Sequence, residues 1–254
     1  MMDRNAFSGF RSLVALENSR WTKSYNWLKS VLVWLAIFNG LMCFVLVYAP
    51  RLTGVTTDVF GALNLLYQTL SGVCPIGAII IVHNALISEK ENGTAAWVMS
   101  APVSRASMIL SKLIVNLLYT TSIVVFLQSV VSYYVIRYAT GVSLPVASYY
   151  LGVAQMALYL AFWVTLTIML GVVLDNRGTV IGMSLGIMYL HGPVANLASG
   201  FVPFITQLMP SALVSSAISS ATGGAFSPHA VIVGLIWIML FTLYACLRFE
   251  EQEL

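Results

Sequence analysis

Five long stretches without a single Asp, Glu, Lys or Arg dominate the sequence: residues 30–50, 59–88, 113–136, 138–174 and 178–247. A helix of about 20 apolar residues crosses the hydrocarbon core of a bilayer. Each of the four shorter stretches therefore fits one crossing, and the longest fits two or more. Only 8% of all residues are charged, about a third of the share in a soluble domain, which excludes a soluble protein. The sequence predicts an all-α polytopic membrane protein.

The apolar stretches divide into six predicted transmembrane helices, and the basic residues orient them. The expected positions are 30–49, 63–86, 112–136, 149–174, 179–197 and 228–247. An even number of spans puts both termini on one side. If this is the cytoplasmic side, ten Lys and Arg residues face the cytoplasm and only Arg51 and Arg137 lie outside, in agreement with the positive-inside rule.

The predicted organisation is therefore one domain over residues 1–254, located in the cell (plasma) membrane. It comprises a cytoplasmic segment 1–29, a six-span bundle 30–247 and a cytoplasmic tail 248–254. The first apolar run follows a long polar segment and has no small-residue cleavage site, so we interpret it as a retained span rather than a signal peptide.

The N-terminal segment between Phe7 and Lys29 has apolar and aromatic residues at spacings of three or four, with basic residues among them. This is the pattern of an amphipathic helix that lies in the membrane interface. The alternative is an ordinary cytosolic lead-in to the first span.

The segment between the fifth and sixth spans, 197–227, contains Pro203 and Pro210 and is rich in Ser, Ala and Gly. Such a sequence favours two short outer helices over a full crossing. They would be re-entrant if protein or a cavity covers them. An ordered surface loop is the alternative.

The sequence lacks a common ATP-binding loop, and its predicted spans lack the acidic residues that carry protons in many transporters. No Gly-Lys dipeptide occurs, so there is no Walker A loop. The predicted spans contain no Asp or Glu of the kind that many transporters use. The three cysteines lack metal-ligand spacing. We therefore expect a chain that is not an enzyme, that binds no metal, cofactor or nucleic acid, and that receives its energy from elsewhere.

The fifth predicted span carries Gly178, Gly182 and Gly186 at intervals of four residues. The last two also frame a G-x-S-x-G pattern around Ser184. The nearest base in that helix, His191, lies about 10 Å further along it, which is too far to activate a serine nucleophile. Small residues at this spacing instead let another backbone approach closely. They predict a packing face, either within the subunit or across a dimer.

The loop between the second and third spans has the sequence of a docking element. Thr94 can cap a short helix over 94–101, Pro102 ends it, and Ser104 can cap the third span. The short helix would expose Trp97 and Met99, apolar side chains that suit a groove on a partner. The alternative is a polar turn in which Pro and Ser only end helices.

The loop and the six-span layout together resemble the permease subunits of ABC-2 type transporters. That family commonly has an acidic residue, then Gly-Thr, a short apolar helix, Pro-x-Ser-Arg, and a Lys that opens the third span. The matching residues here are Glu89 or Glu91, Gly93, Thr94, Pro102, Ser104, Arg105 and Lys112. The region around Glu17 and Arg20 is similar to the connecting helix of the family. Trp97 and Met99 stand where leucines are more frequent.

The resemblance implies an ATP-driven exporter subunit that pairs with a second permease copy or a paralogue. It also implies two separate ATP-binding subunits, which would bind the ATP and Mg²⁺. The 94–101 segment would be the coupling helix. The residues expected to contact the ATP-binding subunit are Glu17, Arg20, Glu89, Glu91, Gly93, Thr94, Trp97, Met99, Pro102, Ser104 and Arg105.

A substrate path is expected along Asn64, Tyr67, Gln68 and Ser71 of the second span and faces of the fifth. Such a path would be apolar with scattered hydrogen-bonding groups. It suits lipids, drugs or amphipathic peptides better than ions, because the spans contain no fixed charge. The alternatives are a stand-alone channel or secondary transporter that uses backbone carbonyls of the broken outer segment, and a membrane scaffold without transport.

Overall fold

A computed structural model of the chain describes residues 9–92, 103–202 and 204–251. Over these residues the chain is helical and contains no strand. Six helices, numbered spans 1 to 6, are long and apolar enough to cross a membrane: Trp27–Thr53, Val59–Glu91, Arg105–Thr140, Val146–Val173, Arg177–Ser199 and Pro228–Glu251. They confirm the prediction of an all-α, six-span membrane protein.

Spans 2 and 3 are longer than a bilayer requires. At a rise of 1.5 Å per residue, the 33 residues of span 2 extend about 50 Å and the 36 residues of span 3 about 54 Å, compared with a hydrocarbon core of about 30 Å. Their charged residues lie mainly at the ends that flank the 93–102 loop. These two ends lie beside each other, since Lys112 of span 3 pairs with Glu89 of span 2.

Span 4 is the centre of the bundle. Within its most apolar window 72% of the residues are buried, compared with 22% in spans 1, 5 and 6. It packs against spans 2, 5 and 6 and against a short helix, Ser211–Ala221. Trp163 and Val164 in its C-terminal half have no exposed surface. The long uncharged run of this span therefore faces mostly protein rather than lipid.

Spans 1 and 3 are joined by a buried polar cluster next to two π-helical turns, Leu35–Asn39 and Ser122–Phe126. Asn39 Nδ2 donates to Gln128 Oε1 at 2.7 Å, and Ser132 Oγ donates to Asn39 Oδ1 at 2.8 Å. Gln128 Nε2 donates to the carbonyl of Ile123, five residues earlier, at 2.8 Å. A satisfied polar cluster in an apolar interior fixes the register of the helices that share it.

A separate N-terminal helix, Phe10–Lys23, precedes span 1. The amphipathic pattern predicted one segment up to Lys29, but the helix ends before Ser24 and Tyr25, where Tyr25 has a left-handed φ of 35°. Trp21 stacks on Tyr119 of span 3 with ring centroids 4.8 Å apart. This contact and others place the helix along the first turns of span 3. Its position relative to the bilayer remains a prediction.

The segment between spans 5 and 6 forms a 3₁₀ turn, Ile205–Leu208, and the short helix Ser211–Ala221. Trp237 Nε1 donates to the carbonyl of Leu208 at 2.8 Å, and Trp237 lies about 14 Å along span 6 from its first residue. Gln155 of span 4 donates to Ser220 Oγ at 2.9 Å. The segment thus packs beside spans 4 and 6. That it re-enters the membrane stays a prediction.

Candidate functional site: the stem of the 93–102 loop

The predicted coupling helix lies outside the described residues. The predicted contact residues Gly93, Thr94, Trp97, Met99 and Pro102 lie outside them as well, and their roles stay predictions. Both ends of the loop are described, and we call them the stem: Asn84–Glu91, the last turns of span 2, and residues 103–105. Ser104 begins span 3 as predicted, because its Oγ accepts a hydrogen bond from the backbone N–H of Ser107 at 3.1 Å.

Four charged residues meet at the stem and form what we call the charge cluster: Glu17 and Arg20 of the N-terminal helix, Glu89 of span 2 and Lys112 of span 3. Lys112 Nζ lies 2.8 Å from Glu17 Oε1 and 2.9 Å from Glu89 Oε1. Arg20 pairs with Glu17 at 2.9 Å and also with Glu89. Two carboxylates and two cations thus join three segments of chain.

The charge cluster is largely removed from solvent. The exposed fraction is 1% for Lys112, 5% for Glu89 and 8% for Glu17. Burial alone would lower the pKa of Arg20, but the hydrogen bond to Glu89 and the charges of Glu17 and Glu89 outweigh it and raise that pKa. Because removal of one member leaves a buried charge unpaired, such clusters are costly to break. The cluster therefore holds the N-terminal helix and spans 2 and 3 in one arrangement.

Lys90 and Glu91 connect the stem to spans 4 and 5. Lys90 Nζ donates to the carbonyl of Val172 at 2.6 Å and lies 3.2 Å from Asp175 Oδ1. A cation here also complements the negative end of the span 4 helix dipole. Glu91 pairs with Arg177 at the start of span 5, an exposed contact that contributes little to stability.

Arg105 connects the other side of the stem to span 6. Its guanidinium donates to the carbonyls of Glu250, at 2.6 Å, and Phe249, at 3.4 Å, near the end of that span. The sequence predicted that Arg105 contacts a partner protein, and that prediction remains untested. The intramolecular bonds were not predicted, since only the fold brings residues 105 and 250 together.

The four residues of the expected substrate path lie in different surroundings. Tyr67 is fully buried and donates to the carbonyl of Tyr149 at 2.8 Å, which holds span 2 against span 4. Asn64 is exposed on span 2. Gln68 and Ser71 line a cavity of about 330 Å³ between spans 2, 4 and 5 and the Ser211–Ala221 helix. The structure thus brings two of the four together at one cavity.

The glycine face of span 5 is open. A Cβ atom added at Gly182 or Gly186 would meet no described atom within 4 Å, and one at Gly178 would meet only Asn176 of the preceding cap. Within the described part of the chain, no second helix therefore packs on these glycines. Of the two sequence alternatives, packing inside the subunit has no contact to support it.

Comparison with known proteins places these features in one family. A family model described as "ABC-2 family transporter protein" matches residues 53–254, which include the stem, the cavity and spans 2 to 6. No curated protein matches the chain. The N-terminal helix and nearly all of span 1 precede the matched region.

Proposed function

Because this chain belongs to the ABC-2 transporter family, we propose that it is the permease subunit of an ATP-driven exporter. Membership implies a permease that associates with an ABC ATP-binding subunit. Members of the family are typically non-catalytic membrane components. In the proposal, ATP and Mg²⁺ bind only to the partner subunit, which docks on the 94–101 segment.

The proposal rests on the contacts that the stem makes with the other helices. Glu89 contacts the N-terminal helix and span 3, Lys90 contacts span 4, and Glu91 contacts span 5. Arg105 contacts the end of span 6. A displacement of the 93–102 loop would therefore reach the N-terminal helix and spans 3 to 6 through direct contacts. A loop that only reversed the chain direction would have no need of such connections.

The mechanism follows from this connectivity. A partner that binds the loop differently in its ATP and ADP states would favour one arrangement of the spans over the other. The buried charge cluster resists local rearrangement, so spans 2 and 3 and the N-terminal helix would move as one body. Rigid-body rotation of packed helices is a common form of such transitions.

The cavity beside span 2 supports an uncharged or amphipathic substrate. Its polar lining includes Gln68, Ser71, Tyr159, His191, Ser211 and Ser215, and none of the described residues that line it is an Asp, Glu, Lys or Arg. Hydrogen-bonding groups on an apolar wall suit a drug, a lipid or an amphipathic peptide. A substrate with fixed charges would lose its hydration there without a counter-charge.

A second permease copy or a paralogue would cover the open glycine face. Gly182 and Gly186 leave room for a close helix approach, and the neighbouring Leu190 and Leu197 are 61% and 76% exposed. Close packing at small residues is a common way for membrane helices to associate. The proposed orientation has both termini in the cytoplasm, since ten of the twelve basic residues then lie inside.

The proposal is tested by reconstitution of the chain with its ATP-binding subunit in liposomes. We expect Trp97→Ala to lower the affinity for that subunit about tenfold or more, because a buried tryptophan often dominates an interface. ATP-driven substrate transport should fall with it. Arg105 is left unchanged, since it binds the end of span 6. Trp27→Ala, an exposed tryptophan outside the loop, is the matched control.

Two outcomes would contradict the proposal. If Trp97→Ala binds the ATP-binding subunit and supports ATP-driven transport as wild type does, the loop is not the docking site. Transport by the purified chain without nucleotide would instead favour the stand-alone channel or secondary transporter.

A further inference from the structure

Spans 1 and 3 leave an open groove of about 660 Å³ beyond their buried polar cluster. The wall on span 1 includes Cys43 and the π-helical turn Phe44–Tyr48, and the wall on span 3 lies between Val130 and Tyr138. Phe44 is 55% exposed and Tyr138 is 71% exposed. No described segment of the chain covers this groove.

The groove has an apolar wall and one charged end. Arg51 is the single charged residue that lines it. Among the described residues no carboxylate pairs with Arg51. Arg51 lies near the end of span 1 that is opposite the N-terminal helix, about 12 Å along the helix from Cys43. The groove thus runs from the membrane surface into the hydrocarbon region.

We propose that this groove binds one phospholipid of the surrounding membrane. The guanidinium of Arg51 binds the phosphate, and one acyl chain lies between Phe44 and Val131. Arginine suits a phosphate because its planar donors form charge-assisted hydrogen bonds with two oxygens at once. Tyr48 and Tyr138, which also line the groove, have the amphipathic rings typical of the membrane–water boundary.

Charge complementarity favours a lipid over a second copy of the chain as the occupant. On the membrane side where Arg51 lies, the connecting segments contain a single acidic residue, Asp58. The Asp58 carboxylate already accepts the backbone N–H of Gly61 at 2.8 Å as a helix cap. A second copy therefore offers Arg51 at most one carboxylate, which is already engaged through one oxygen as a helix cap, whereas every phospholipid carries a phosphate at this depth.

The test is native mass spectrometry of the full chain, purified and stripped of lipid in detergent. It is titrated with palmitoyl-oleoyl phosphatidylglycerol, with a diacylglycerol that has the same chains, and with glycerol phosphate. We expect wild type to bind one phosphatidylglycerol more tightly than the diacylglycerol. Arg51→Gln should weaken that binding about tenfold, the loss of one charged hydrogen-bonding group.

Two further variants separate the groove from the general surface. Val131→Trp would fill the groove and should abolish the tight binding. Arg137→Gln removes an exposed arginine from the same membrane side that does not line the groove, and it should bind as wild type does. Equal melting temperatures of the variants establish that all of them fold.

Cys43 gives a second readout, because it lies in the groove and Cys74 is buried. In a Cys246→Ser background, phosphatidylglycerol should slow the reaction of Cys43 with maleimide, and the diacylglycerol should not at equal concentration.

Several results would overturn the proposal. If Arg51→Gln leaves lipid binding unchanged, or if Arg137→Gln weakens it equally, Arg51 does not form a lipid site. If the diacylglycerol binds as tightly as phosphatidylglycerol, the groove does not recognise the phosphate. If glycerol phosphate competes as well as phosphatidylglycerol does, the ligand is a free anion. Loss of a dimer in Val131→Trp with unchanged lipid binding would assign the groove to a second copy.

Discussion

Lys112 is the residue on which the arrangement at the loop most depends. Its amine contacts two carboxylates from different segments, and its side chain is only 2% exposed. Arg20 reaches the same carboxylates but is 45% exposed. Screening by water weakens an exposed pair much more than a buried one. The buried lysine therefore contributes more to the cohesion of the cluster than the arginine does.

We expect Lys112→Met to lower the free energy of unfolding by about 3 kcal/mol or more, because Glu17 and Glu89 would keep their buried charges and lose their buried partner. Thermal unfolding in detergent measures the change. Lys23→Met, at an exposed site of the N-terminal helix, is the control and should leave the melting temperature unchanged. A triple variant that adds Glu17→Gln and Glu89→Gln should recover part of the loss. Equal melting temperatures for Lys112→Met and wild type would contradict this account.

The sequence predicted one contact of the stem residues and missed others. Ser104 was predicted as a cap, since a cap acts on a backbone N–H only three residues away. The intramolecular partners of Lys90, Arg105 and Lys112 were not predicted, because they lie 23 to 145 residues away in sequence. Charge type alone indicates that a partner exists, but only the fold identifies it.

Between helices, Gly152 marks a close contact in the core. A Cβ atom there would collide with the hydroxyl of Tyr67 and would lie 2.8 Å from the carbonyl of Ala217. The glycine thus allows span 4 to approach span 2 and the Ser211–Ala221 helix at one point. A carbonyl fixed in a helix backbone cannot move aside as a flexible side chain can.

Gly152→Ala should therefore destabilise the protein by about 1–3 kcal/mol, the usual cost of an overpacked core. It should also increase amide hydrogen exchange in 211–221, because the helix there must shift. Gly182→Ala is the matched control: its surroundings are open, and the same change should be neutral or slightly stabilising. Similar melting temperatures and exchange in both variants would show that the contact at Gly152 is not close.

The spans themselves were predicted well, because five charge-free runs, the longest with room for two helices, leave few alternatives. The irregular turns and breaks in and beside the spans were not predicted. The π-helical turns in spans 1 and 3 and the break at Ser24 and Tyr25 depend on tertiary contacts, such as the Asn39–Gln128 bond across 89 residues. Span 4 also shows that an uncharged run does not distinguish lipid contact from burial in protein, which only the packing reveals.

At the scale of the whole molecule, the open face of span 5 predicts how copies associate. Gly182→Leu combined with Gly186→Leu should leave the stability of the single subunit unchanged and should disrupt the permease pair. Native mass spectrometry of the purified assembly measures the ratio of pairs to single subunits. Gly40→Leu, also at an open glycine but on span 1, should not change that ratio. An unchanged ratio in the double variant would mean that this face contacts lipid only.

The placement of charge in the chain has an electrical consequence. Charges lie at the ends of the spans and not in their middle, and the two cations and two carboxylates beside the loop cancel each other. The membrane potential does work only on charge that moves through it, about 2.3 kcal/mol per elementary charge per 100 mV. The proposed rocking of these spans would carry almost no charge across the field. The conformational cycle should therefore run at the same rate in energised and depolarised membranes.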